Sequence, residues 1–346
     1  MRFNSPGARW LADVNENHKP VRLLRLGLTD SWRTQAVYHA VAELMQEDSP
    51  DTLILCRPRE PYVCLGYHQV YEAVLDHQLC RRRELPVFRR QLGGGTTYLD
   101  ADQLFYQCVL HHMRAPVLFQ DLYQRVLSAP VETLRRLGLN AQLRKVNEIE
   151  VDGRRIAGTG GARIGDACVV VGNLLLDFDY CALPQLWRVP WESFRELAAT
   201  ALQEHLTTLR HLNASAAVET VEPLLLGHLA EALGNCLQEG RLTDEEELRS
   251  RDIATRMASD AYLHLHRDEG PVRPMNSLTI SADVSIRAGA IECNGYMIRA
   301  SFRVQDGVIH DSRLDSSPVR SWGQTEEALR GTDFSSWENN LRTCIA

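Results

Sequence analysis

The feature that most constrains this chain is a run of three glycines, Gly93, Gly94 and Gly95, between two strand-like segments at 87–90 and 96–99. Three adjacent glycines give a flexible hairpin tip, or a backbone that approaches a ligand closely and offers its N–H groups to an anion. Arg89 and Arg90 stand directly before the triplet. Arginine neutralises carboxylate or phosphate and can do so bidentately. The flanking strands, the arginines and the following Asp100 favour a ligand loop over a solvated tip.

A second segment, residues 147–161, runs Asn-Glu-Ile-Glu-Val-Asp-Gly-Arg-Arg-Ile-Ala-Gly-Thr-Gly-Gly. Asp152-Gly153 reads as its turn. A carboxylate such as Glu148 beside an acyl or phosphoryl site can hold Mg²⁺. A cation and small residues after a hairpin can hold a phosphate or a developing oxyanion. The segment is not a dinucleotide fingerprint, because the glycine spacing from Gly158 lands on Arg163. Taken alone, it would pass for an exposed charged hairpin.

The first part of the chain alternates strand and helix signals. Residues 21–28, 52–56, 62–66 and 104–110 suit strands. Residues 32–47 suit a helix with Val37, Ala40, Val41 and Leu44 on one face, capped by Asp30 or Ser31. Residues 120–137 read as a helix kinked or broken at Pro130. Residues 191–250 are mostly helical, with Pro223 in a first turn and a capping box at Thr243 and Glu246. In 277–315, runs of Ile, Val, Phe and Thr are punctuated by Ala288-Gly289, Asn294-Gly295 and Asp306-Gly307, and an antiparallel meander is expected. Helices follow near 325–329 and 335–341.

A length of 346 residues suggests two domains. The change of character near 250–275 divides them into 1–255 and 256–346. Hydrophobic residues make up 44% and charged residues 24%, which excludes wholesale disorder. A net charge of −7 disfavours general binding to nucleic acid or anionic membranes. The nine cysteines are scattered without a CxxC pair, so a disulfide framework and a zinc ribbon are not expected. Reduced thiols and the lack of a secretion signal or an apolar span point to a cytoplasmic protein. Residues 1–20 read as a loose arm or the start of an edge strand.

Taken together, the two glycine segments resemble those of the lipoate-protein ligase A family in the biotin and lipoate protein ligase superfamily. Residues 60–69 resemble the family's early P-x-V-x-x-G-x-x-Q strand, and 90–100 its R-x-x-G-G-G-x-x-x-H-D loop. Residues 146–149 resemble V-N-D-I, 153–160 resemble G-R-K-x-x-G-S-A, and 172–175 resemble the segment around a Gly-Thr pair. The resemblance implies an α+β fold of mixed and antiparallel sheets packed with helices, with a small α+β accessory domain.

It also implies a two-step reaction. ATP and lipoate or octanoate give an acyl-AMP, and a lysine of a lipoyl-carrier protein, glycine-cleavage-H-like or another, takes the acyl group. By position, Arg90, Gly93, Gly94, Gly95, Thr96, Thr97 and Asp100 would border the lipoyl and phosphate groups. Asn147 would hold the nucleotide and Glu148 Mg²⁺. Gly158, Thr159, Gly160 and Asn173 would line the adenylate. Arg155 takes the place of the family's lysine, Leu99 that of its loop histidine, and Val171 that of the histidine before the Gly-Thr pair. Arginine keeps the charge in a different geometry. The protein is expected to act as a monomer.

Two alternatives stay open: transfer of octanoyl or lipoyl groups between carriers without ATP, and a binding protein that has lost turnover. Relatives that use a thiol nucleophile direct attention to Cys168 and Cys181, for which a structural role is expected. The pair His111-His112 reads as one core and one exposed side chain, and His264 with His266 as surface groups.

Overall fold

The computed structural model describes residues 20–346 apart from 235, 268, 269 and 346. Almost all of the arm expected at residues 1–20 lies outside them. In chain order the first elements are β1 (Val21–Thr29), α1 (Ser31–Glu43), β2 (Thr52–Pro58), β3 (Tyr62–Leu65), α2 (Tyr71–Val74), α3 (His77–Arg82), β4 (Val87–Arg89), β5 (Thr97–Leu99) and β6 (Gln103–His111). Next come α4 (Phe119–Arg136), β7 (Ala141–Arg144), β8 (Glu148–Val151), β9 (Arg154–Arg155), β10 (Ala157–Ile164), β11 (Ala167–Leu175), α5 (Ala182–Leu186), α6 (Glu192–His205), α7 (Val218–Leu233), β12 (Leu237–Glu239), α8 (Asp244–Ala258) and α9 (Asp260–Leu263). The tail forms β13 (Ser277–Thr279), β14 (Val284–Cys293), β15 (Tyr296–Gln305), β16 (Val308–Ser317), α10 (Gly323–Leu329) and α11 (Trp337–Ile345).

A mixed sheet in the order β10-β11-β6-β2-β1-β12 is the centre of the fold. Its strands alternate their side chains between two covered faces. Leu53, Leu55, Leu104, Tyr106 and Leu110 pack towards α4 and α7. Ile54, Val109 and Val169 pack towards Val37, Tyr38 and Val41 of α1. α1 is shorter than its apolar pattern suggested. Asp30 caps it without a side-chain hydrogen bond, because its carboxylate is paired with Arg59 at 2.9 Å.

Small sheets in the orders β4-β3-β5 and β7-β8-β9 carry the two glycine segments. The tail is the expected meander, β13-β14-β15-β16. Asn294-Gly295 and Asp306-Gly307 make its tight turns, all four residues having positive φ. One face of this sheet is covered by α10 and α11 through Phe302, Trp322, Leu329 and Leu341. Val284 and Ile286 pack with Phe194 and Leu197 of α6. The boundary expected at 255/256 falls inside α8. α9 still belongs with the first unit, since the buried Arg89 donates to the carbonyls of Tyr262 and Leu263.

Several local expectations need correction. α4 runs unbroken through Pro130, held by the apolar face it buries against α7. Pro223 is the sixth residue of α7 rather than a first-turn residue. Gly289 lies inside β14 and makes no turn. A Cβ there would stand 2.4 Å from the Trp337 ring, so the glycine admits the indole. The segment after α7, expected as helix, forms β12 and pairs in parallel with β1. His264 and His266, expected at the surface, are half-buried just after α9. The capping box at Thr243 and Glu246 is present. His111 is buried and His112 half-buried. No helix among the described residues is long and apolar enough to cross a membrane.

Candidate active site

The glycine loop is shaped from beneath. A Cβ on Gly66, just after β3, would stand 1.9 Å from the Gly94 carbonyl oxygen, so only glycine lets the two backbones meet. The Gly66 N–H and the Thr96 hydroxyl both donate to Gln69 Oε1, at 3.0 and 2.9 Å. Arg90 turns its guanidinium into the loop and donates to the carbonyls of Cys64 (3.2 Å), Gly93 (2.7 Å) and Gly95 (2.9 Å). The carbonyl and N–H of one trans peptide point opposite ways. Turning the Gly93 and Gly95 carbonyls onto Arg90 therefore aims the amides of Gly94 and Thr96 away from it. Neither amide donates a hydrogen bond among the described residues, which leaves two preset donors for an anion.

His39 of α1 braces the loop from behind. Its Nε2 accepts from the Gln91 N–H at 3.1 Å, and its Nδ1 lies 2.7 Å from the Gln35 carbonyl. These partners assign the proton to Nδ1. Burial lowers the pKa of His39 to about 4, so the ring is neutral and remains an acceptor. The Gln91 side chain donates to Glu43 at 2.8 Å. Glu43 also accepts from Arg249 and Arg256 of α8. Burial works to raise the Glu43 pKa, but hydrogen bonds from Arg256, Gln91 and Arg249 hold it below the usual value.

β10 and β11 form the facing wall. Gly158 pairs with Asn173 and Gly160 with Val171. A Cβ on Gly160 would lie 3.6 Å from Leu92, so the chain leading into the glycine triplet touches β10 directly. The Gly158 N–H donates to Asn173 Oδ1 at 2.9 Å. The Asn173 amide donates to Gln103, and Gln103 donates to the Tyr98 carbonyl at 3.1 Å and Asp100 Oδ1 at 3.4 Å. Asp100, Asn173 and Gly158 are thus joined in one polar chain through Gln103. Burial raises the Asp100 carboxyl pKa.

Thr159 faces the other way, and its hydroxyl donates to the Asn147 carbonyl. The Thr97 hydroxyl donates to the Cys64 carbonyl at 3.4 Å.

Arg155 precedes Gly158 by three residues, about 10 Å along an extended chain. Its carbonyl accepts from the Thr207 N–H at 2.8 Å. Its half-buried guanidinium makes no hydrogen bond among the described residues. Desolvation lowers its pKa, and the Glu148 carboxylate opposes that. Glu148 is itself buried. Its Oε2 accepts from the Ala282 N–H at 2.8 Å, and its Oε1 has no partner among the described residues. Neighbouring Arg154 is engaged elsewhere, on His211 and the carbonyls of Gln203 and Leu206. Among the described residues, no group of three or more His, Cys, Asp or Glu is placed to hold a metal.

The residues singled out from the sequence fall into three clusters. The loop holds Arg90, Gly93, Gly94, Gly95, Thr96 and Thr97. The strand wall holds Asp100, Gly158, Gly160 and Asn173. The third cluster is Asn147, Glu148 and Arg155. Leu92 against Gly160 joins the first two, and Thr159 on Asn147 joins the last two. No cysteine enters the cleft. Cys168 is buried five register positions from Asn173, roughly 17 Å along β11. Cys181 is exposed beside α5. Cys64 is buried under the loop, where burial raises its thiol pKa against the pull of Arg90. A cavity of about 680 Å³ lies elsewhere, along β4 and α9, and contains none of these residues.

Four residues that shape the cleft were not singled out as site residues: Gly66, Gln69, His39 and Gln103. The first two stand in the early Gly-x-x-Gln motif. His39 and Glu43, four apart on α1, carried a helical-spacing signal.

Residues 30–230 match the family model of the lipoyl protein ligase A/B catalytic domain, and the chain belongs to that family. The family joins lipoate-protein ligases and octanoyltransferases. The chain is 26% identical over 266 residues to the octanoyltransferase LipM of Kyrpidia tusciae, covering 70% of this chain and 97% of that one. Its fold resembles a bipartite lipoate protein ligase from Thermoplasma acidophilum, solved as part of a lipoylation system with its E2 lipoyl domain. That match has a TM-score of 0.66 and 24% identity, over 73% of this chain and 99% of the other. A lipoate-protein ligase A bound with ATP matches with a TM-score of 0.61 and 22% identity, over 72% and 100%.

Proposed function

We propose that this protein activates lipoate or octanoate with ATP as an acyl-AMP and transfers the acyl group to a lysine of a lipoyl-carrier protein, without a thiol intermediate. The observation that carries this reading is the chemistry of the cleft. Among the described residues it offers a guanidinium with no hydrogen-bond partner and two free loop amides, and no cysteine lies among its walls. Those are groups for a phosphoanhydride and an oxyanion. A covalent route would need a thiolate in the same place.

In this reading the amides of Gly94 and Thr96 hold the acyl-phosphate oxygens, and Arg155 offsets the charge that develops on the leaving phosphate. Arg90 acts by fixing the loop. Gly158 cedes its side-chain space to Asn173, where a Cβ would stand 2.5 Å from Oδ1, and the Asn173–Gln103–Asp100 chain keeps that wall rigid. Leu92 and the α1 side of the loop exclude water, which an acyl-AMP requires.

Mg²⁺ commonly uses one or two protein carboxylates together with substrate phosphates. The buried, unpartnered Oε1 of Glu148 fits that role, with Asn147 adjacent. When bound, the ion would neutralise phosphate charge. ATP in a solved relative and a lipoyl domain as the partner of another support the nucleotide and the acceptor class.

The test is to incubate the protein with ATP, Mg²⁺, octanoate or lipoate and an apo lipoyl domain, and to weigh the domain. A mass gain that requires ATP is expected. No gain, together with no acid-dependent pyrophosphate release, would refute the reading. The octanoyltransferase name of a relative matched along 97% of its length favours a second reading, ATP-independent transfer between carriers. Transfer from an octanoylated carrier in the absence of nucleotide would select it.

A further inference from the structure

The chain contains two lysines, Lys19 and Lys145, against 36 arginines. Arginine stays protonated and does not attack a carbonyl, whereas a lysine amine does once it loses its proton. A protein that handles an activated acyl group therefore carries few side chains able to consume it. Lys145 is the only lysine among the described residues, and it stands two residues before Asn147, in the turn that leads into β8. Its Nζ donates to the Ala282 carbonyl at 3.2 Å and to Asp283. The Ala282 N–H donates to Glu148 Oε2. The Lys145 ammonium and the Glu148 carboxylate thus grip the two ends of one residue, and Glu148 is the group that faces Arg155. The Lys145 side chain is half exposed. The Asp283 side chain is 5% exposed and also binds Arg144.

We infer that Lys145 is a site of self-acylation and that Asp283 restrains it. The inference rests on the acyl-AMP reading above. In the ion pair the amine is protonated and turned onto the tail sheet. Freed from Asp283 and deprotonated, it attacks the acyl carbon. The N–C bond forms, the C–O bond to the phosphate breaks, AMP leaves with the electron pair, and the nitrogen's surplus proton passes to solvent. The amide carries no charge, so Asp283 keeps Arg144 but loses its second cation, and the tie between the Lys145 loop and the β13–β14 turn is weakened.

The experiment supplies synthetic octanoyl-AMP to the full chain and locates hydroxylamine-stable octanoyl groups by peptide mass spectrometry. Modification at Lys145 is expected to exceed that at Lys19 and the terminal amine at least fivefold, and to fall when a non-hydrolysable octanoyl-adenylate analogue competes. Asp283→Asn should raise it several-fold, and Lys145→Arg, which keeps the ion pair, should abolish it there. Equal labelling of Lys19 and Lys145 in the wild-type chain overturns the inference whatever the variants do, as does Lys145 labelling that the analogue leaves unchanged. A parallel arm replaces octanoyl-AMP with ATP, Mg²⁺ and octanoate. Labelling from the supplied adenylate alone would uphold the Lys145 inference while counting against activation by this protein.

Discussion

Gly66→Ala tests how the glycine loop is built. The new Cβ would stand 1.9 Å from the Gly94 carbonyl oxygen, and ordinary contact begins at 3.4 Å, so the backbones must separate by about 1.5 Å. Arg90 holds Gly93 and Gly95 at 2.7 and 2.9 Å, and such a shift breaks both bonds. Hydrogen bonds to a charged group contribute about 1.5–3 kcal/mol each. Part of that returns through water at this exposed loop, leaving a net loss of roughly 2–4 kcal/mol and a fall in Tm of about 3–6 °C. Because the loop amides move with the backbone, a displacement above 1 Å should lower kcat/KM by about 100-fold. Gly93→Ala is the control: a Cβ there meets nothing within 4 Å, and both stability and folding should stay near wild type. The assays are thermal unfolding by circular dichroism and octanoylation of an apo lipoyl domain followed by mass. A Gly66→Ala protein as stable and as active as Gly93→Ala would refute the reasoning.

Arg155→Ala should lower kcat/KM for acyl transfer by about 100- to 1,000-fold, the range for removing one group that stabilises developing charge. Arg155→Lys should keep most of the activity, and equal rates for the alanine variant and wild type would rule out the role. Asn173→Ala leaves the Gly158 N–H and the Gln103 Oε1 without partners and should cost about 1–3 kcal/mol in urea unfolding. His39 has a pKa of about 4 in the folded protein against about 6.5 unfolded. The unfolded chain therefore takes up the proton first, so the stabilising contribution is complete above pH 6.5 and is lost as pH falls towards 4. The loss is on the order of 3 kcal/mol. Tm measured against pH should be flatter over that window in His39→Gln, and parallel curves would contradict the assignment.

Much of the architecture was legible because local chemistry and fold agreed. Asn294-Gly295 and Asp306-Gly307 demand tight turns, and the glycine triplet between strands marked the loop. Where the sequence misled, tertiary packing decided. Pro130 stays within α4 because the helix buries its apolar face. Gly289 looked like a turn but makes room for Trp337, a partner nearly fifty residues away. Arg90 is the instructive case at the site. Its charge beside three glycines suggested a ligand contact, yet it donates to the loop carbonyls of Gly93 and Gly95 and to that of Cys64 in β3. Gln103 has no local signature, because its role arises from the pairing of β6 with β11.

The most direct measurement quenches the enzyme during turnover with ATP, octanoate and an apo carrier, then counts pyrophosphate and weighs the intact enzyme. One pyrophosphate should appear for each octanoylated carrier, with no hydroxylamine-labile octanoyl group on any cysteine. A thioester on the enzyme, with carriers octanoylated from an octanoyl-carrier donor in the absence of nucleotide, would contradict the account.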